Sequence, residues 1–391
     1  MMNAMLRFLL CCVLLAPAVS PAVLAAAADP VRIDVVLPLT GPGSFAGASE
    51  RSALDALAAY VNKTGGIRGR RLEFAYADDQ SNPQTAVQLT NGLIANKVNV
   101  ILGSALTATC NAMAALVKNG PLVYCFSGGY QPVADSYTFA GSISSTYLVA
   151  AGVRYLRLRN LKKIALITTT DSSGQDGERA TVEAAALGEN AGVTLVAREH
   201  FNPGDVTVAA QIARIKAAAP DAIIAWTTGT PLATVLRGMN DGGLENVPIV
   251  VSSGNAVYAQ LKQYEAFMPK EFYVPSDAVL APERVSGRHR AAVDAVIAAM
   301  APVKPDFLSI TAWDPGLLVV AALRQLGPGA PPDRLRAYLA NLKGFVGVNG
   351  AYDFAAVPNR GVDQSDAFIV RYNPATSSFS GVSKAGGEPA R

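Results

Sequence analysis

The chain has 391 residues, 50% hydrophobic and 16% charged, enough apolar material for more than one buried core. Its formal net charge is +3; Arg7 is the only charged residue among the first 28, so the remainder carries 3 − 1 = +2. No basic cluster stands out, which argues against nucleic acid as a partner.

The N-terminus reads as an export signal. Arg7 supplies the positive start, residues 8–15 are apolar, and small residues with Ala-x-Ala options run up to Asp29. Pro17 and Pro21 break the apolar run, and no later segment approaches a membrane span, so residues 1–28 are expected to be cleaved and not to anchor the chain. The expected location is outside the cytoplasm, in the periplasm of a Gram-negative source. Cys11 and Cys12 lie inside the apolar run, where a lipoprotein site would not be. Cys110 and Cys125 remain, one at a helix start and one at a strand end. They read equally as a disulfide or as two buried thiols, because the Cα separation that decides it is not a property of sequence.

Strand and helix patterns then alternate. Strands are predicted at 32–37, 71–76, 98–102, 122–125, 163–168, 194–199, 222–225 and 248–251. Helices are predicted at 46–63, 83–96, 108–118, 147–159, 177–190, 208–218, 231–241 and 256–267. In the first helix Leu54, Leu57, Ala58 and Val61 share the apolar face, with Glu50, Arg51 and Asp55 placed off it. Continuously apolar strands such as VNVILG and DAIIAW suit a sheet covered on both faces. The fold class expected is α/β, with parallel sheets built from two βαβ series. From Glu283 the order loosens: helices at 285–300, 312–326 and 332–342, then a hairpin of 351–354 with 367–372, then a poorly ordered tail SGVSKAGGEPAR.

The opening strand runs into LTGPGSFAG, a place where ligands meet backbone N–H groups in α/β proteins. Gly41, Gly43 and Gly47 do not make a dinucleotide loop: the spacing is G-x-G-x-x-x-G and the acidic residue expected about 20 positions on is missing. Nucleophile elbows, H-E-x-x-H and Cys/His metal spacings are also missing, and the two histidines, His200 and His289, sit in charged surroundings. Neither enzyme activity nor a cofactor nor a metal is expected. Asp78 and Asp79 read as loop and cap residues before the helix at Pro83, and Trp313 as core.

These segments together resemble the substrate-binding proteins of ABC importers for branched-chain amino acids and related compounds. The resemblance is carried by LTGPGSFAG, by YVNKTGGIRGRRLEFAYADDQSNPQTAV, by VILGSALTAT and LVYCFSGG, and by PDAIIAWTTGTPLATVLRGMNDGGL and ITAWDPGLLVVAAL, in that order. It implies a type I periplasmic binding fold: two Rossmann-like lobes joined by three hinge crossings, near Ser142, Val274 and Asn349. One lobe would comprise 31–142 plus 275–349, the other 143–274 plus 350–391. The implied protein is a monomer that closes on a small ligand and presents it to an ABC permease in the inner membrane; the alternatives are a binder of branched-chain or other hydrophobic amino acids, or a periplasmic sensor subunit on the same fold that passes its ligand to a receptor.

The resemblance places a carboxylate at Thr107, with the Ala108 amide, and at Ser127, Gly128 and Gly129, and places Phe45 as a cover. On the other lobe it points to Ser173, Thr228, Gly229, Ser253 and Asn255, with Tyr147 reaching the cleft. The chain departs from the family pattern here. Ser173 stands where a tyrosine is common, and no Asp or Glu lies between Val247 and Tyr264 to meet an α-ammonium. A buried ammonium without a counter-charge loses roughly 3–5 kcal/mol. The expected ligand therefore keeps a carboxylate, lacks an α-amino group and is bulkier than leucine, as an aromatic or phenylpropanoid acid is.

Overall fold

The computed structural model describes residues 29–390, so the expected signal segment, with Cys11 and Cys12, lies outside the described residues. The first series runs β1 (Val31–Leu37), α1 (Ser44–Lys63), β2 (Leu72–Asp78), α2 (Pro83–Ala95), β3 (Val100–Gly103), α3 (Thr107–Ala114), β4 (Leu122–Cys125) and β5 (Thr138–Ala140). Its sheet has the order β2-β1-β3-β4-β5 and is parallel throughout. The buried VILG and LVYC strands at its centre have helices on both sides, as apolar strands require.

The second series runs α4 (Ser145–Leu158), β6 (Lys163–Thr169), α5 (Ser172–Ala186), β7 (Thr194–Phe201), α6 (Ala209–Ala217), β8 (Ala222–Trp226), α7 (Pro231–Asp241), β9 (Ile249–Val251), α8 (Tyr258–Leu261) and β10 (Phe272–Ser276). The chain then returns to the first lobe with α9 (Gly287–Met300), α10 (Phe307–Leu326), α11 (Pro332–Ala340), β11 (Lys343–Val346) and β12 (Ala351–Asp353). It ends in the second lobe with β13 (Phe368–Asn373) and β14 (Ser378–Gly381). The second sheet has the order β14-β13-β10-β9-β8-β6-β7, with β13 antiparallel to both its neighbours.

Local chemistry explains the element starts. Asn82 accepts N–H bonds from Gln84 and Thr85 ahead of Pro83, and Asp306 forms a capping box with Ser309 at the start of α10. Gly316 lets α10 lie against α1: a Cβ there would sit 2.4 Å from Leu57 Cδ2. By length and composition α10 is apolar enough to cross a membrane, but it is mostly buried and serves as the core helix of the lobe. Trp313 on it is 1% exposed.

Several expectations are corrected. Residues 351–353 pair with β11, and residues 368–373 pair with β10 and β14, so the predicted hairpin does not form. The two runs are strands as expected, but each pairs with a nearer neighbour, 343–346 for the first and 378–381 for the second, and the second also pairs with the remote β10. Asn359 and Arg360 still bond to backbone at Thr138, Ser142 and Tyr130, so the chain stays with the first lobe beyond the crossing expected near Asn349. The tail is ordered: β14 completes the sheet, Ser383 bridges to Pro389, and Ala390 N–H donates to Val382. The helix expected at 256–267 is instead α8 and a 3-10 turn at Glu265–Phe267. Glu50, placed off the apolar face of α1, is fully buried, where it accepts a hydrogen bond from the Thr311 hydroxyl.

Candidate ligand-binding cleft

Between the lobes lies a cavity of ≈ 730 Å³, at the carboxyl ends of the parallel strands of both sheets. That volume suits a small organic ligand. On the first-lobe wall the residue before α3, Leu106, offers no side-chain cap, so the amides of its first turn keep their donor capacity and the positive end of the helix dipole. Thr107 Oγ1 and Ser127 Oγ lie 2.9 Å apart, and Gly129 N–H donates to Ser127 Oγ at 3.3 Å. Ala108, Gly128 and Gly129 complete this wall. A Cβ on Gly129 would lie 2.4 Å from Thr107 Oγ1, so only glycine fits that close approach.

On the second-lobe wall Ser173 Oγ and Thr228 Oγ1 are 2.8 Å apart. Ser253 also lines the cavity, with its hydroxyl donated to the Pro275 carbonyl at 2.5 Å. Leu106, Phe126, Leu148, Trp226, Phe307 and Leu308 add apolar and aromatic surface, among polar residues such as Ser145, Asp171 and Gln175.

Four expected residues fall outside this lining. Asn255 is fully buried and its amide is consumed internally: it accepts from Gly229 N–H at 3.0 Å and donates to the Thr227 carbonyl at 2.6 Å and to Ser252 Oγ at 2.9 Å. It braces the loop after β8, which leaves it nothing to offer a ligand. Gly229, at φ +84°, is the other half of that brace. Phe45 bridges the lobes: a Cβ on Gly229 would meet its ring at 3.0 Å, so it touches the opposite lobe beside the cavity. Tyr147 packs against the core, and only its amide is accounted for, donated to Ser144 Oγ at 3.2 Å.

The structure adds residues that sequence reading passed over. Asp176, on the second turn of α5, lines the cleft, accepts a hydrogen bond from Ser145 Oγ and pairs with Arg179 at 2.6 Å. The helix was predicted to start at Gly177, which hid this position; the Asp171 cap, accepting from Gly174 N–H at 3.0 Å, was the available signal. Phe307, Leu308 and Thr311 reach the cavity from α10, whose predicted start at 312 excluded them.

Asp78 accepts bonds from Leu39, Thr40 and Gln80 and so fixes the loop after β1. Burial pushes its carboxyl up, but those bonds outweigh it and hold it below its ordinary value. Asp79 binds Ser81 N–H and Ser104 Oγ, and burial raises it. Burial also pushes Glu50 well above the carboxylate range, against the Thr311 bond. Cys110 and Cys125 are two buried free thiols; Cys110 donates to the Ser104 carbonyl, and burial pushes the Cys125 thiol up.

The profile of the periplasmic binding protein family matches residues 30–378. The chain belongs to this family. The Leu/Ile/Val-binding protein homolog 3 of Brucella melitensis is 23% identical over 227 residues, 56% of this chain and 60% of that protein. The alignment thus spans less than two thirds of such relatives. Two solved structures share the fold of this binding protein at high coverage. The branched-chain amino acid transporter substrate-binding protein of Streptococcus pneumoniae, solved with isoleucine, has a TM-score of 0.74 at 22% identity, over 90% of this chain and 99% of that one. An ABC transporter solute-binding protein of R. palustris, solved with benzoate, has a TM-score of 0.75 at 18% identity, over 93% and 98%. The architecture is therefore the type I periplasmic binding fold.

Proposed function

We propose that this protein captures a small carboxylate-bearing ligand with an aromatic or phenylpropanoid body in the periplasm and delivers it to an ABC permease. The observation that carries this reading is the pairing of Thr107 and Ser127 hydroxyls, 2.9 Å apart, with the uncapped start of α3 on one wall of a cavity that also presents Phe126, Trp226 and Phe307. Helix N-terminal amides and neutral hydroxyls suit a carboxylate, and Phe126, Trp226 and Phe307 suit a flat apolar body. The structural neighbour solved with benzoate supports the same ligand class. In the mechanism, ligand binds the Thr107 and Ser127 wall first. Closure then adds the Ser173, Thr228 and Ser253 wall, and favours the closed form by the ligand's differential affinity for it.

One observation favours a second reading. Asp176 places a carboxylate in the cleft that sequence reading did not, and it would serve the ammonium of a hydrophobic amino acid. Its two oxygens are already engaged by Ser145 and Arg179, which is why the aromatic acid is preferred. A thermal-shift panel separates the two. Stabilisation by benzoate or 4-hydroxycinnamate and none by leucine or valine is expected; the reverse pattern establishes the amino-acid reading.

A further inference from the structure

Behind the Ser127–Gly129 loop lies a cation with no carboxylate in ion-pair contact among the described residues. Arg360, on the segment between β12 and β13, is 3% exposed. Its guanidinium donates to the carbonyls of Ser142 and Tyr130, both at 2.5 Å, and reaches Gln131 Oε1 at 3.5 Å. No acidic side chain pairs with it among the described residues, whereas the partly exposed Arg154 and Arg159 each have one and Arg179 has two. A buried charge without a counter-ion is costly, and carbonyl dipoles offset only part of that cost. Burial accordingly pulls the Arg360 proton affinity down, to about 10.

The position gives this charge a use. Ser142 belongs to the first crossing, and Gly128 packs on it: a Cβ on Gly128 would lie 3.2 Å from Ser142 Oγ and 3.1 Å from the Ile143 carbonyl. Tyr130 directly follows Gly129. The guanidinium therefore sits one layer behind the loop that lines the cavity, and holds that loop to the crossing. Nearby Asp176 pairs with Arg179 at 2.6 Å, and Arg179 is shared with Glu183 at 2.9 Å, so Asp176 is the one carboxylate close enough to attract the Arg360 guanidinium, and no carboxylate lies within ion-pair distance of it among the described residues.

We propose that Arg360 is a positioning residue whose positive charge acts through the Ser127–Gly129 loop as the counter-charge for the anionic end of the ligand. This rests on the reading that the ligand carries a carboxylate, and it goes further by assigning the source of anion selectivity. Calorimetric titration with benzoate, 4-hydroxycinnamate and leucine, and with benzamide as the neutral match to benzoate, tests it on wild type, Arg360→Lys and Arg360→Met. The expected result is carboxylate binding weakened at least tenfold in Arg360→Met and kept within about fivefold in Arg360→Lys, with folding verified by thermal melts. A merely structural clasp predicts equal losses in both, because lysine cannot span two carbonyls as the guanidinium does. Equal losses, or a change under threefold in Arg360→Met, overturn the proposal. If Arg360→Met does not fold, wild type and Arg360→Lys decide: benzamide binding wild type as tightly as benzoate, or Arg360→Lys losing tenfold or more, overturns it, and the opposite pair of results supports it. Absence of binding by all three carboxylates to wild type instead overturns the ligand reading, and this inference with it.

Discussion

Single residues decide how far the candidate site was legible. Thr107 and Ser127 follow buried strands, but the family resemblance, not the residues alone, points to them; both line the cavity. Asn255 does not: residue type and register were right, but its amide is turned inward to Gly229 and Thr227. Glu50 shows the same limit, since a buried acid looks in sequence like a surface one. Buried carboxyls also set the pH response. Asp366 is pushed up to about 6, first by burial and then by the nearby Asp363 charge, against the Asp363 amide bond. The folded chain therefore holds a proton that the unfolded chain, with an ordinary value of 3.8, releases earlier. This contribution is fully present below about pH 4 and is lost as pH rises through about 6. Asp366→Asn should remove that loss and raise stability at pH 7, by on the order of 1–3 kcal/mol. Urea melts at pH 4 and pH 7 check it; a gain equal at both pH values refutes the assignment.

At the scale of elements, the βα repetition was readable because apolar strands and amphipathic helices differ in period. The partners of β12 and β13 were not: each forms a short antiparallel pair with its own sequence neighbour, β11 and β14, and β13 also pairs with the remote β10, whereas the sequence reading joined the two to each other. The start of α5 was also missed, and with it a tight contact. A Cβ on Gly177 would lie 2.0 Å from Trp226 Cδ1, so α5 presses on the ring that forms part of the cleft wall. Gly177→Ala should destabilise the fold by about 1–3 kcal/mol through overpacking. It should also displace Trp226, weaken ligand binding and change tryptophan emission. Unchanged emission and affinity would show that the helix gives way and the ring does not.

For the whole molecule, the two-lobe plan follows from chain order, while closure rests on contacts that sequence does not display. Phe45 of the first lobe meets Gly229 of the second. Phe45→Ala should leave the melting temperature without ligand nearly unchanged and weaken affinity for the bound acid about tenfold, mainly through faster release. Stopped-flow release measured beside equilibrium titration checks this; a slower association with unchanged release argues against a closing role for Phe45.

The sheet order has a consequence for how the chain is made. The first sheet uses strands contiguous from Val31 to Ala140, so its strands are all available early in synthesis. The second places β13, from the final stretch 368–381, beside β10, with β14 outside it. A polypeptide threaded amino end first therefore leaves one edge of β10 unpaired until its closing residues emerge. Exit of the carboxyl terminus is the event that seals the second lobe, and a stalled or clipped chain presents a bare strand edge to its neighbours.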